Sequence, residues 1–160
     1  MIDKQHDLKA RTKAFALRII RLYSSLPKTA EAQVLGKQVL RSGTSVGAQY
    51  REAARARSNA EFVSKVQCGL QELEETVYWI ELLEESGILR SDRVASLLKE
   101  SEELTSIFVV SAKTAKRNAW TRITNLITFY LARRFLFFSA VHHSLFIVHH
   151  FFQVRSSRYE

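Results

Sequence analysis

The chain has 160 residues, 46% of them hydrophobic, with 24 Lys/Arg against 16 Asp/Glu, a formal net charge of +8 and a pI near 9.9. That length supports one domain with a real core, and the charge favours an anionic partner or surface without bearing on fold. The single cysteine, Cys68, excludes an intrachain disulfide framework and fits a reducing cytosol. The first residues, Met-Ile-Asp-Lys-Gln-His-Asp, lack the apolar region of a signal peptide, so a cytoplasmic protein is expected.

In chain order, Leu8, Phe15, Ile19 and Leu22 recur at helical spacing from Leu8 to Leu26, with Ala16, Ile20 and Tyr23 widening the stripe. Lys9, Lys13, Arg18 and Arg21 decorate the outside, and Pro27 ends the helix. Thr29 is the predicted cap of a second helix running from about Ala30 to Ala56, with Glu31 in its first turn. Its core side is read as Val34, Leu35, Val39, Leu40, Val46 and Tyr50. Residues 41–58 give this helix two faces. Gly43, Ser45, Gly47, Ala48, Ala53, Ala54 and Ala56 keep one face small, while Arg41, Arg51, Arg55 and Arg57 make the other cationic, with Glu52 the one acid. Gly43 and Gly47 stack on one side of a helix. Two glycines in a helix cost about 1 kcal/mol each against alanine, so close helix–helix packing is their expected return.

Ser58 and Glu61 form a capping box ahead of the clearest apolar stripe, Phe62, Val66, Leu70, Leu73, Val77, Ile80 and Leu83. Acidic residues, Glu72 to Glu85, cover the outside of this third helix, and Gly87 suits its C-terminal turn. A fourth helix starts at Ser91 and buries Val94, Leu97, Leu98, Leu104, Ile107, Phe108 and Ser111, up to about Arg117. Four helices with short connections and no strand pattern predict an all-α fold, an antiparallel up-and-down four-helix bundle over residues 1–118 with a C-terminal hydrophobic extension.

Residues 119–160 change character, holding seven of the ten phenylalanines and four of the five histidines. This aromatic, His-rich extension reads either as an added helix or as an irregular tail. His142, His143, His149, His150, Arg133 and Arg134 speak against a membrane span. Neighbouring histidines point about 100° apart on a helix and no carboxylate or thiolate lies nearby, so no metal site is expected. Phosphate-loop, dinucleotide, zinc-protease and CxxC patterns are absent. Cys68 has no nearby histidine, and the Glu74–Glu75 and Glu84–Glu85 pairs read as a solvated face. No catalytic residue and no cofactor is expected, hence no enzyme.

Several segments carry a family resemblance: Phe-Ala-Leu-Arg-Ile-Ile at 15–20, Leu-Pro-Lys-Thr at 26–29, Arg-Ser-Gly-Thr-Ser-Val-Gly-Ala at 41–48 and Tyr-Arg-Glu-Ala at 50–53. Ala-Arg-Ser at 56–58 with Glu61-Phe62, Glu75-Thr76, Tyr78-Trp79 and Glu81-Leu82-Leu83, and Lys113-Thr-Ala-Lys-Arg-Asn118 add to it. From Leu8 to Asn118 the chain resembles the bacterial four-helix-bundle proteins encoded by intervening sequences in 23S ribosomal RNA genes. In fold that family is similar to the accessory variability determinant of diversity-generating retroelements. The resemblance implies a homo-oligomer, a ring-shaped pentamer, and the retroelement relative implies work with a reverse transcriptase and nucleic acid. The segment after Asn118 departs from the family pattern.

Charge is partitioned along the chain. Residues 1–57 carry twelve Lys/Arg and four Asp/Glu, residues 58–118 seven and eleven, and residues 119–160 five and one. A dipolar body with one basic side predicts binding of a nucleic acid, RNA by family setting, through Arg41, Arg51, Arg55, Arg57, Lys113, Lys116 and Arg117. Arginine's planar fork suits phosphate oxygens. Two alternatives remain open at this level. Arg51 and Arg55 pair instead with Glu52, Glu74 or Glu75 across helices, or the protein is a protein-interaction scaffold, for example an accessory subunit of a reverse transcriptase.

Overall fold

The computed structural model describes the backbone of residues 2–156 and the side chains of residues 7–129. Four helices follow one another: α1 (Ile2–Ser24), α2 (Ala30–Ala53), α3 (Asn59–Glu85) and α4 (Ser91–Ser156). No strand occurs among the described residues. The chain divides into two compact units, Met1–Arg117 and Asn118–Glu160.

Side-chain contacts fix the up-and-down order of the first unit. Along α1 and α2, Thr12 lies against Gly47, Ile19 against Gly43 and Leu26 against Gly36, so the two run antiparallel. Between α2 and α3, Arg41 meets Glu75 and Glu72, the Thr76 hydroxyl donates to Ser42 Oγ at 2.9 Å, and Lys65 Nζ sits 2.5 Å from Glu52. Arg11 Nε donates to Glu100 at 2.6 Å and Arg18 to Ser96 at 3.0 Å, closing α4 antiparallel onto α1. The result is the expected antiparallel four-helix bundle. Its buried apolar residues span Leu8 to Ala112, centred on Phe15, Ile19, Val39, Val46, Leu73, Ile80, Leu104 and Phe108.

The helix ends follow local chemistry. Thr29 Oγ1 accepts from the Ala32 N–H at 3.4 Å and Ser58 Oγ from the Glu61 N–H at 3.1 Å, satisfying donors that a helix start leaves orphaned. Glu61 reaches back to accept from the Arg57 N–H at 2.8 Å, one residue before the Ser58 N–H that a capping box would engage, so the return half of the box closes just outside the N-cap. Gly87 adopts φ 75°, a conformation costly for other residues, and so lets the Leu89 N–H donate to Leu83 O at 2.9 Å.

Three expectations need correction. First, α2 stops at Ala53 rather than near Ala56. The N–H groups of Arg55 and Ala56 turn to carbonyls only three residues back, Glu52 and Ala53, and that of Arg57 is taken by Glu61. Second, α4 does not end near Arg117 but continues to Ser156, so the extension is helical within the described backbone. Third, Val34 is 61% exposed, because the inward side at that level is Ala32, Gly36 and Val39. The histidine pairs lie outside the residues whose side chains are described.

Candidate nucleic-acid interface

The closeness of α1 and α2 comes from the small residues of α2. A Cβ built on Gly43 would sit 2.6 Å from Ile19 Cγ1, and one on Gly47 would sit 3.4 Å from the Thr12 carbonyl oxygen. Gly43, Gly47 and Ala53 are therefore spent inside the bundle, while Ala48 is exposed. With the glycine side turned inward, the arginines are left on the outer side and at the exit of α2.

They do not form one group. Arg41 pairs with Glu75, lies 3.6 Å from Glu72 and donates to Gln38 at 3.4 Å, tying α2 to α3 at mid-helix. Fourteen residues separate Arg41 from Arg55, about 20 Å at a helical rise of 1.5 Å per residue. Arg41 is thus set apart, as a cross-helix partner of the acidic helix. The structural alternative raised for Arg51 and Arg55 falls on other cations: Arg41 takes Glu75 and Lys65 takes Glu52.

The remaining cations lie toward one end of the bundle. The Tyr50 and Phe108 rings pack with centroids 5.6 Å apart, fixing the C-terminal end of α2 beside α4. Arg55 follows Tyr50 by five residues, and Lys113 follows Phe108 by five, so both helices deliver charge past the same aromatic contact. Arg51 is exposed, with one guanidinium nitrogen donating to Gly47 O at 3.3 Å. Arg55, Lys113 and Lys116 are exposed and form no ion pair with a described residue, and Arg117 is exposed beside them in sequence. Arg57 is 91% exposed and 3.4 Å from Glu61; a surface pair of this kind is screened by solvent and yields readily to a better anion. The sequence pattern marked Lys13 only as outer decoration of α1. It is exposed, next in sequence to Thr12, which lies against Gly47.

Chemically, the arrangement can neutralise anions over an extended surface. Among the described residues there is no group of three or more His, Cys, Asp or Glu that could hold a metal ion. No described helix is long and apolar enough to cross a membrane.

No curated protein matches the chain. A crystal structure of a protein with unknown function from the S23 ribosomal protein family of Bacteroides thetaiotaomicron VPI-5482 is 37% identical, with a TM-score of 0.65. The match covers 69% of this chain and 98% of that one. Residues 4–109 match the family described as 23S rRNA-intervening sequence protein. With that match running through all four helices of the bundle, the chain belongs to the 23S rRNA-intervening sequence protein family.

Proposed function

We propose that this chain is a non-enzymatic, oligomeric nucleic-acid-binding accessory protein of the cytoplasm, and that its ligand is RNA. The observation that carries the reading is the bundle end at which Arg55, Lys113 and Lys116 stand exposed without acidic partners among the described residues, flanked by Arg51, Arg57 and Arg117. Several of the bundle's other cations are matched, as in Arg11 with Glu100 and Glu103, Arg41 with Glu75 and Lys65 with Glu52, whereas Lys13, Arg21 and Lys37 are also exposed without an ion pair among the described residues. Unmatched cations beside matched ones are what a phosphate backbone would satisfy. The family name connects these proteins with 23S rRNA genes, which favours RNA over DNA.

Assembly into a ring, a pentamer as the family resemblance implies, would multiply this surface. The small-residue stretch does not support the ring, since its glycines are used within the chain. Charge does: α1 and α2 expose Lys13, Arg21 and Lys37, whereas α3 exposes Glu74, Glu81 and Glu85. Such opposite faces suit head-to-tail contacts that close around an axis.

The test is an RNA titration of the full chain at several salt concentrations. Replacing Arg55, Lys113 and Lys116 by glutamine is expected to lower affinity at least tenfold. It should also flatten the log–log salt dependence by about 0.7 to 0.9 for each phosphate that is no longer neutralised. Arg41→Gln serves as the contrast and is expected to leave affinity within about twofold. Equal affinity in the triple variant would overturn the reading and favour a protein-interaction scaffold such as a reverse transcriptase accessory subunit, with the acidic face of α3 as its contact.

A further inference from the structure

One surface of the second unit is not used by the proposed RNA contact and lies beyond the family match, which ends at residue 109. On α4, Trp120, Ile123 and Ile127 follow one another at helical spacing with Leu126 beside them, while Phe129 comes half a turn round from Trp120 and lies off this face. Trp120, Leu126 and Phe129 are each 69% exposed, Ile123 51% and Ile127 53%. We infer that this face is a self-association surface, where the helix of residues 119–129 packs against the same helix of a second copy.

Area is the first reason. Large aliphatic and aromatic side chains offer roughly 150–250 Å² each when bare, so the four on this face, at these exposures, leave on the order of 500 Å² of apolar surface. That matches the largest patches monomers tolerate, and approaches the ~800 Å² per partner of an ordinary stable interface. A single helix cannot cover its own face, and every copy brings the same one.

Charge is the second reason. From Ala119 to Phe129 the one charged residue is Arg122. Two like copies can therefore approach with little repulsion, and there is no charge pattern to attract a basic or acidic partner. A lipid-surface helix would carry a Lys/Arg-rich polar face. Here the polar positions are Thr121, Thr124, Asn125 and Thr128. The Thr124 hydroxyl donates to Trp120 O at 3.2 Å, and that of Thr128 to Thr124 O at 2.9 Å, so these groups are satisfied within their own helix and can sit at a protein contact without further partners.

The experiment compares the full chain with the Ile123→Lys/Ile127→Lys chain. Mass is measured by sedimentation over a range of concentrations, and Trp120 emission is recorded in a Trp79→Phe background, where Trp120 is the remaining tryptophan. The expected result is an emission that shifts to the blue as concentration rises, abolished in the double-lysine chain, whose mass falls at least twofold. The substituted positions are exposed, so the helical signal should not change. Any association of the bundle itself persists in the double-lysine chain, which separates failure of this inference from failure of the ring. Equal masses, or Trp120 emission that stays water-exposed at every concentration, would overturn it. A blue shift that requires added phosphatidylglycerol vesicles would also overturn it, assigning the face to a lipid surface.

Discussion

Glu72 shows how individual side chains set the bundle's response to acid. Burial and the neighbouring Glu75 push its carboxyl above the usual glutamate range, with Arg41 pulling the other way. Its Oε2 is buried without a hydrogen-bond partner, 3.6 Å from Arg41. A carboxyl raised on folding binds more protons in the folded state, so its contribution to stability is full below the ordinary glutamate pKa and is lost as pH rises through the folded value. Glu72→Gln should therefore flatten the rise in melting temperature on acidification just above pH 4.5, the ordinary value. It should leave the chain at least as stable at pH 7. Thermal melts across that window check both, and a Glu72→Gln chain with the parental pH profile would count against the assignment. Glu61 works with the opposite sign. Its carboxylate, held below the ordinary range chiefly by the Arg57 N–H, stabilises the fold at neutral pH and ceases to do so as pH falls. A second residue-scale feature is the buried Thr76–Ser42 hydrogen bond. Thr76→Val removes it but leaves Ser42 donating to Gln38 O, so a loss of about 1 kcal/mol is expected in denaturant unfolding. Neither feature was legible in the sequence. Thr12, Ser42, Thr76 and Ser101 are buried although polar: the hydroxyls of Thr12, Ser42 and Ser101 donate to the carbonyl four residues earlier in their own helix, and that of Thr76 donates to Ser42.

At the scale of the element, α2 sets the bundle's spacing. Alanine at position 43 would put its Cβ 2.6 Å from Ile19 Cγ1, and Ile19 is fully buried with nowhere to swing. The added methyl raises helix propensity by about 1 kcal/mol but forces overpacking of about 1–3 kcal/mol or more. Gly43→Ala should thus destabilise by up to about 2 kcal/mol in urea unfolding, whereas the same measurement on Ala48→Gly, at an exposed position, should show only the propensity loss of about 1 kcal/mol. The four helices could be read from the sequence because their apolar periods, the Thr29 and Ser58 caps, Pro27 and Gly87 all point the same way. The need for close packing at Gly43 was legible too, though its partner was not. Where reading failed, a stop signal was missing. The last glycine is Gly87 and the single proline is Pro27, so the change in composition at Asn118 carried no physical instruction to end α4. The end of α2 erred in the other direction. Ala54 and Ala56 are good helix formers, but the Ser58 cap competes for the same stretch and Glu61 captures the Arg57 N–H. For the candidate site, residue type identified the cations, while which of them stay unmatched depended on cross-helix register. That register places Arg41 against Glu75 and leaves Arg55, Lys113 and Lys116 without acids among the described residues.

For the whole molecule, the two units differ in how they can be stable. Every buried apolar residue described lies between Leu8 and Ala112, all within the first unit. The S23-family structure corresponds over 98% of its own length to only 69% of this chain, so a protein of that fold is complete without a counterpart to the rest. A chain ending at Asn118 keeps all four apolar stripes, both described N-caps, and the Arg11, Arg41 and Lys65 pairs that join neighbouring helices. Truncation there is expected to preserve helical signal, cooperative melting and a melting temperature within a few degrees of the full chain. It also removes the exposed face of Trp120, Ile123, Leu126 and Ile127, so self-association through that face should vanish while RNA affinity stays within about threefold, since Arg55, Lys113 and Lys116 remain. Circular dichroism, sedimentation and one RNA titration read these outcomes together. Loss of cooperative melting would mean that residues beyond Asn118 belong to the folding core. A stable truncated chain that no longer bound RNA would move the phosphate contacts into the second unit, to Arg122 and the arginines that follow it.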